Sequence, residues 1–240
     1  AWDNYARFPF SDKHLSRLKE AYHSFAKYAK KWTTNSIENK EYYHDNYNVQ
    51  SITIIKNGVD LVKFKGELIE KPYDISNFPY PIIGFGGKIT HLFDVDLFNY
   101  LLENNKEKTF VIVGQIIDKI KFKMINKSNN FYYLGDKHYD EYPLYVQSFD
   151  ICIIPYLVGD KAHGGDSIKA YEYLAAGKKT VGTIGNGLVD LENYLYLHED
   201  YSLFSKELNT TTNNKEILTN EEFSWLEKTK LMINILKERL

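Results

Sequence analysis

Apolar positions recur along this chain with changing periods, and the changes divide it. From Ser11 to about Lys31, the residues Leu15, Leu18, Tyr22, Phe25 and Tyr28 fall three and four apart. That spacing predicts one long amphipathic helix with Ser11 as its N-cap. Residues 1–10 read as a strand end followed by a loop. After the helix, W-T-T-N-S closes a short strand, and Asn35 or Ser36 caps a second helix running to about Tyr47. S-I-T-I-I at 51–55 is a further strand, turned by Asn57-Gly58. Residues 59–79 mix charges, contain Pro72 and show no period, so they read as a linker.

Beyond Tyr80 short apolar strands alternate with helical stretches. The strands predicted are Pro81 to Phe85, Thr109 to Val113, Asn130 to Leu134, Asp150 to Pro155, Thr180 to Thr183 and Leu195 to Leu197. Helices are predicted from Asp94 to about Asn104, from Asp140 to Ser148, and from about Glu221 to Leu240, while N-T-T-T-N-N at 209–214 reads as a surface loop. Strands that are apolar throughout and alternate with helices imply an α/β fold, a Rossmann-like parallel sheet with helices on both faces. Such sheets bind ligands in the crevice at the carboxyl ends of their strands. Gly86, Gly87, Gly114 and Gly135 follow strand ends there.

The stretch D-S-I-K-A-Y-E-Y-L-A-A-G-K-K-T-V, residues 166–181, lies on the same edge. Asp166 or Ser167 can cap a helix, and Gly177 can end it in a left-handed conformation. Lys169 and Glu172 then stand three apart on one side, with Ile168, Tyr171 and Ala175 as the packing side. A helix start attracts an anion, Lys169 adds a full charge, and Glu172 can accept hydrogen bonds from sugar hydroxyls. The same residues also make an ordinary amphipathic helix with an i,i+3 Lys/Glu pair.

Composition narrows the classes. Hydrophobic residues make up 43% and aromatics 15%, enough for a packed core. Thirty basic against 32 acidic residues leave a net charge of −2, which excludes a binder driven by neutralising nucleic-acid phosphates. Cys152 is the only cysteine, so no intrachain disulfide can form, and its apolar neighbours place it in a buried strand. No apolar run approaches the ~20 residues of a membrane span, and a cytoplasmic setting is expected. The chain begins at Ala1 in what reads as the middle of a fold, so a fragment of a longer protein is expected. Asp94-Val95-Asp96 reads as a helix cap, and without a carboxylate cluster at ligand spacing no metal is called for.

The ordered segments I-K-N-G-V-D-L-V-K-F, the glycine turn after the strand at 81–85, F-V-I-V-G, N-F-Y-Y-L-G, F-D-I-C-I-I-P-Y and D-S-I-K-A-Y-E-Y-L-A-A-G-K-K together resemble nucleotide-sugar glycosyltransferases of the GT-B fold. The likeness covers roughly residues 33–200 and is greatest to family 4 enzymes of bacterial surface polysaccharide synthesis, including the teichuronic-acid type. It implies a partial N-terminal Rossmann-like unit at 1–58, the remnant of an acceptor-side domain, then an interdomain linker at 59–79 and a nucleotide-sugar-binding domain at 80–240. It also implies retaining transfer of a sugar from a nucleoside diphosphate to a glycan or lipid-linked acceptor, with no resident cofactor and with possible contact at the inner membrane face.

Carried over by residue, Glu172 matches the glutamate that grips the donor ribose, while Ser167, Ile168 and Lys169 match the helix start near the diphosphate. Gly86 and Gly87, with Gly114 on the next strand, match the turns where an absent side chain lets phosphate approach the backbone. Lys88 is placed either to neutralise phosphate or simply in solvent. His163, between Ala162 and the glycines Gly164 and Gly165, is a candidate catalytic residue on a closing loop, or an exposed histidine. His91 and His138 follow strand-end turns and are weaker candidates. Many family 4 members carry a further glutamate where this chain has Gly164, and an arginine beside the position of Lys88. A binding module or partner subunit without turnover is the alternative, and a GT-B epimerase of UDP-sugars a third possibility.

Overall fold

The computed structural model describes residues 11–66, 70–159, 165–185, 187–210, 215, 216, 218 and 221–237. Its first unit is α1 (Asp12–Tyr28), β1 (Trp32–Thr34), α2 (Ile37–Tyr47) and β2 (Ile52–Ile54). The two strands pair in parallel with Trp32 opposite Ile52, as a crossover through α2 requires. Ser36 caps α2, its hydroxyl accepting from the Asn39 N–H at 3.1 Å. Ser11 stands at the start of α1, but its hydroxyl pairs with His14 Nδ1 at 2.6 Å and takes no helix amide. Between the helices and strands lies an aromatic core of Tyr22, Trp32, Tyr43 and Tyr47. Tyr22 and Tyr43 meet edge to face at 5.3 Å, the arrangement ring quadrupoles favour.

Residues 59–66 and 70–79 are more structured than a linker. Asp60 caps a single-turn helix, α3 (Leu61–Phe64), and Val59, Phe64 and Ile75 enter the main core. Three anchors spaced this far apart leave no period in the sequence, because no continuous face is buried.

The main sheet comprises β3 (Ile82–Gly86), β4 (Thr109–Val113), β5 (Phe131–Tyr133), β6 (Ile151–Ile154), β7 (Lys179–Gly182) and β8 (Tyr196–Leu197). All its strands run parallel in the order β5-β4-β3-β6-β7-β8. β3, β4 and β6 are buried at every position, which explains their unbroken apolar sequences. Flanking the sheet are α4 (Val95–Asn104), α5 (Lys119–Met124), α6 (Tyr142–Ser148), α7 (Ile168–Ala175) and α8 (Tyr201–Glu207). A last helix, α9 (Trp225–Lys237), follows a 3-10 turn at Glu221–Phe223, which is where the sequence pattern had placed its start. The two short helices α5 and α8 were not expected. Each begins on an aspartate, Asp118 accepting from the Ile120 and Lys121 amides and Asp200 from Leu203.

The strand order fixes where a ligand can sit. The chain winds outward from β3 to β5, returns to β6, and winds the other way to β8. Loops at the carboxyl ends therefore diverge between β3 and β6, opening a crevice at that point. Among the described residues no helix is long and apolar enough to cross a membrane.

Candidate functional site

A cleft of about 330 Å³ opens in this region, where the carboxyl ends of β3 and β4 and the segment after β5 face the start of α7. Of the residues singled out from sequence, Gly86, Gly87, Lys88, Gly114, Ile168, Lys169 and Glu172 line it. Ser167 stands at its edge as the N-cap residue of α7. His163 and Gly164 fall outside the described residues. His91 and His138 do not line the cleft; His138 is exposed, 3.3 Å from Asp140.

The start of α7 lacks the side-chain cap found at α2, α3, α4, α5 and α8. Asp166 does not cap it. Its carboxylate instead accepts from the Asn57 N–H at 2.6 Å and from the Tyr171 hydroxyl at 3.0 and 3.1 Å. The Asn57 side-chain amide returns a bond to the Asp166 carbonyl at 2.7 Å, tying α7 to the segment after β2. Burial pushes Asp166 up to about 6, with the Asn57 N–H and the Lys56 charge opposing. Ser167 makes no capping bond either, and its hydroxyl is buried without a partner among the described residues. The positive end of α7 is thus left free of any side-chain cap.

Lys169 and Glu172 carry the charge of the cleft. The Lys169 ammonium bonds to the Tyr156 hydroxyl and lies 4.7 Å from that ring's centroid and 5.6 Å from that of Phe85. Glu172 is 8% exposed, and burial pushes its carboxyl up to about 7; the Lys169 charge and the Tyr142 hydroxyl pull it partly back. It is therefore an acid that changes charge near neutral pH.

The glycine turns serve packing inside the site as well as open space, which revises the expectation for Gly86. A side chain there would run into the Tyr142 ring, and the Gly86 N–H is already held by the Tyr173 hydroxyl at 2.7 Å. At Gly87 a Cβ would come within 2.7 Å of Lys169 Cε. Gly114 has φ +140°, and a Cβ would collide with the Gly87 carbonyl, so this position lets the two loops of the cleft floor touch.

Sequence reasoning missed Gln115, Asp136, Lys137, Tyr139 and Tyr142, which also line the cleft. Gln115 donates to Asp136 at 2.7 Å, joining the loops after β4 and β5. Lys137 is paired with Asp74 at 2.6 Å. Three of these follow Gly135, a strand-end glycine like those after β3 and β4, so the third turn held the same signal. Tyr142 had none, since its place depends on the notch at a distant glycine. Among the described residues no group of three or more His, Cys, Asp or Glu side chains is placed to hold a metal ion.

No family model and no curated protein matches the chain by sequence. Solved structures do match by shape. HepE from Anabaena, crystallised with UDP and glucose, superimposes with a TM-score of 0.74 at 15% identity, over 95% of this chain and 69% of that one. A glycosyltransferase from Rickettsia africae gives 0.70 at 17% identity, over 97% and 69%. Sucrose-phosphate synthase from Thermosynechococcus elongatus gives 0.66 at 14%, over 95% and 63%. Together with the six-stranded parallel sheet, these likenesses establish the GT-B glycosyltransferase fold.

Proposed function

We propose that this chain holds the donor site of a glycosyltransferase that moves a sugar from a nucleoside diphosphate to an acceptor hydroxyl. The observation that carries the proposal is the meeting of Lys169, Glu172 and the uncapped start of α7 in one cleft at the point where the sheet order reverses. A diphosphate suits the helix start and the Lys169 ammonium, and a ribose diol suits the Glu172 carboxylate. Complexes of HepE with UDP and with UDP-glucose support the same class of ligand.

In transfer, negative charge grows on the departing diphosphate. Lys169 and the α7 amides are fixed in advance to meet it, and Lys88 stands exposed at the mouth as a third positive group. The finer reading keeps the retaining stereochemistry and the role in bacterial surface polysaccharide assembly, with a glycan or lipid-linked acceptor at the inner membrane face. In that reading residues 80–240 bind the donor, and residues 1–58 belong to the acceptor side.

Titration calorimetry with UDP, GDP, ADP and their nucleosides tests the site. Glu172→Ala weakens binding of the preferred nucleotide by about 1–3 kcal/mol, as expected when a charged hydrogen bond is lost. Unchanged affinity in a folded variant removes Glu172 from the ribose. Lys169→Ala weakens the diphosphate far more than the nucleoside, and equal losses on both would place Lys169 elsewhere.

A further inference from the structure

Tyr142 lines the cleft beside Glu172. Its ring fills the notch left by the missing side chain of Gly86, so it cannot swing without leaving a hole under β3. Its hydroxyl is shut off from solvent and has no hydrogen-bond partner among the described residues. A buried phenol left that way costs about 1–3 kcal/mol, so a partner is to be expected in some state of the protein. Burial holds the group well above the ordinary tyrosine range, which keeps it a proton donor at any pH of interest.

Three groups act on it from nearby, Tyr173, Glu172 and the buried Cys152 thiol. The Tyr173 hydroxyl is already occupied, accepting from the Gly86 N–H at 2.7 Å and donating to the Gly86 carbonyl at 3.0 Å. Glu172 is the group that gains from a fixed donor, because an ionised carboxylate only accepts.

We propose that Tyr142 is the positioning residue of Glu172: its wedged hydroxyl donates to the ionised carboxylate and holds it in the form that grips a ribose diol. The inference rests on the ribose reading of Glu172 given above. The groups facing that carboxylate are Lys169 and Tyr173 on α7, Tyr142 on α6, and Tyr139 from the segment before α6. Lys169 and Tyr142 favour the ionised form, and burial opposes it. A diol donating two hydrogen bonds adds to the favouring side, so nucleotide binding releases a proton near pH 7. Affinity then falls as pH drops below that point.

The test follows the Glu172 carboxyl directly, by isotope-edited infrared titration of the whole chain, with and without UDP. Tyr142→Phe keeps the ring in the Gly86 notch and removes only the hydroxyl, so the fold is retained. The Glu172 midpoint is expected to rise by about one pH unit in this variant. UDP affinity is then expected to fall about fivefold at pH 7 and to stay unchanged at pH 9, where the carboxylate is ionised regardless. A midpoint that does not move in Tyr142→Phe overturns the inference, whatever UDP does. A midpoint that moves in Tyr142→Phe but is indifferent to UDP keeps the pairing and removes the ribose reading instead.

Discussion

The two edges of the main sheet both bury charge, and they treat it in opposite ways. At the amino edge, where β7 begins, the Lys179 side chain is 7% exposed and every direction is answered. Its ammonium meets the Glu207 carboxylate at 2.6 Å, the Glu207 and Thr210 carbonyls at 2.9 Å, and the Thr210 hydroxyl. Glu207 is held below the usual glutamate range: burial pushes it up, but the Lys179 and Thr210 bonds outweigh that. At the carboxyl edge, Glu172 is as buried and is pushed up to about 7, while the Ser167 and Tyr142 hydroxyls find no partner among the described residues. The Lys179 ammonium is answered on every side, whereas the start of α7 leaves the Ser167 hydroxyl and its first amides for a ligand. At these two places the difference lies in whether the buried charge is already paired, not in how deeply it is buried.

The amino edge offers the largest effect. Lys179→Met removes the cation and strands the Glu207 carboxylate, which should cost about 3–5 kcal/mol of stability in urea denaturation. UDP affinity of the folded variant stays the same. A loss under 1 kcal/mol would mean that this edge is not a completed network, and the contrast would fail.

At the carboxyl edge the matching change acts in the other direction. Glu172 has a raised midpoint, so the folded chain holds a proton that the unfolded chain releases between about pH 4.5 and 7. Stability contributed by this group is therefore present at low pH and lost as pH rises through that window. The integrated loss is about 3 kcal/mol by pH 8. Glu172→Gln should flatten this slope and leave the protein more stable than wild type at pH 8, while weakening nucleotide binding. An unchanged slope would show the carboxylate to be well solvated or paired, as Glu207 is.

Much of this contrast was legible in sequence on one side only. The runs I-I-G-F-G, T-F-V-I-V and I-C-I-I announce buried parallel strands because both their faces are covered, and D-S-I-K-A-Y-E places Lys169 and Glu172 together because i and i+3 share a helix side. Those are local relations. Tyr142 entered the cleft through a gap at Gly86, Lys137 was taken up by Asp74, and Asp166 turned from its helix to Asn57. Each of these depends on a partner far along the chain, where no periodic signal reaches. Helices α5 and α8 were missed for another reason: at one or two turns, their caps outweigh their patterns.

The smallest effect separates two serines in the same formal position. Ser36 and Ser167 both precede a helix, yet Ser36 accepts from Asn39 N–H and Ser167 accepts from nothing in α7. Ser36→Ala should cost about 1 kcal/mol, the usual loss for an N-cap. Ser167→Ala should change stability by less than about 0.5 kcal/mol, because no cap is lost and an unpaired buried hydroxyl is removed. Its effect should appear in binding instead, as a modest weakening of UDP with little change for uridine. If Ser167→Ala destabilises the fold as much as Ser36→Ala, the hydroxyl is acting as a cap. The start of α7 would then already be satisfied, and a diphosphate would have one donor fewer to meet there.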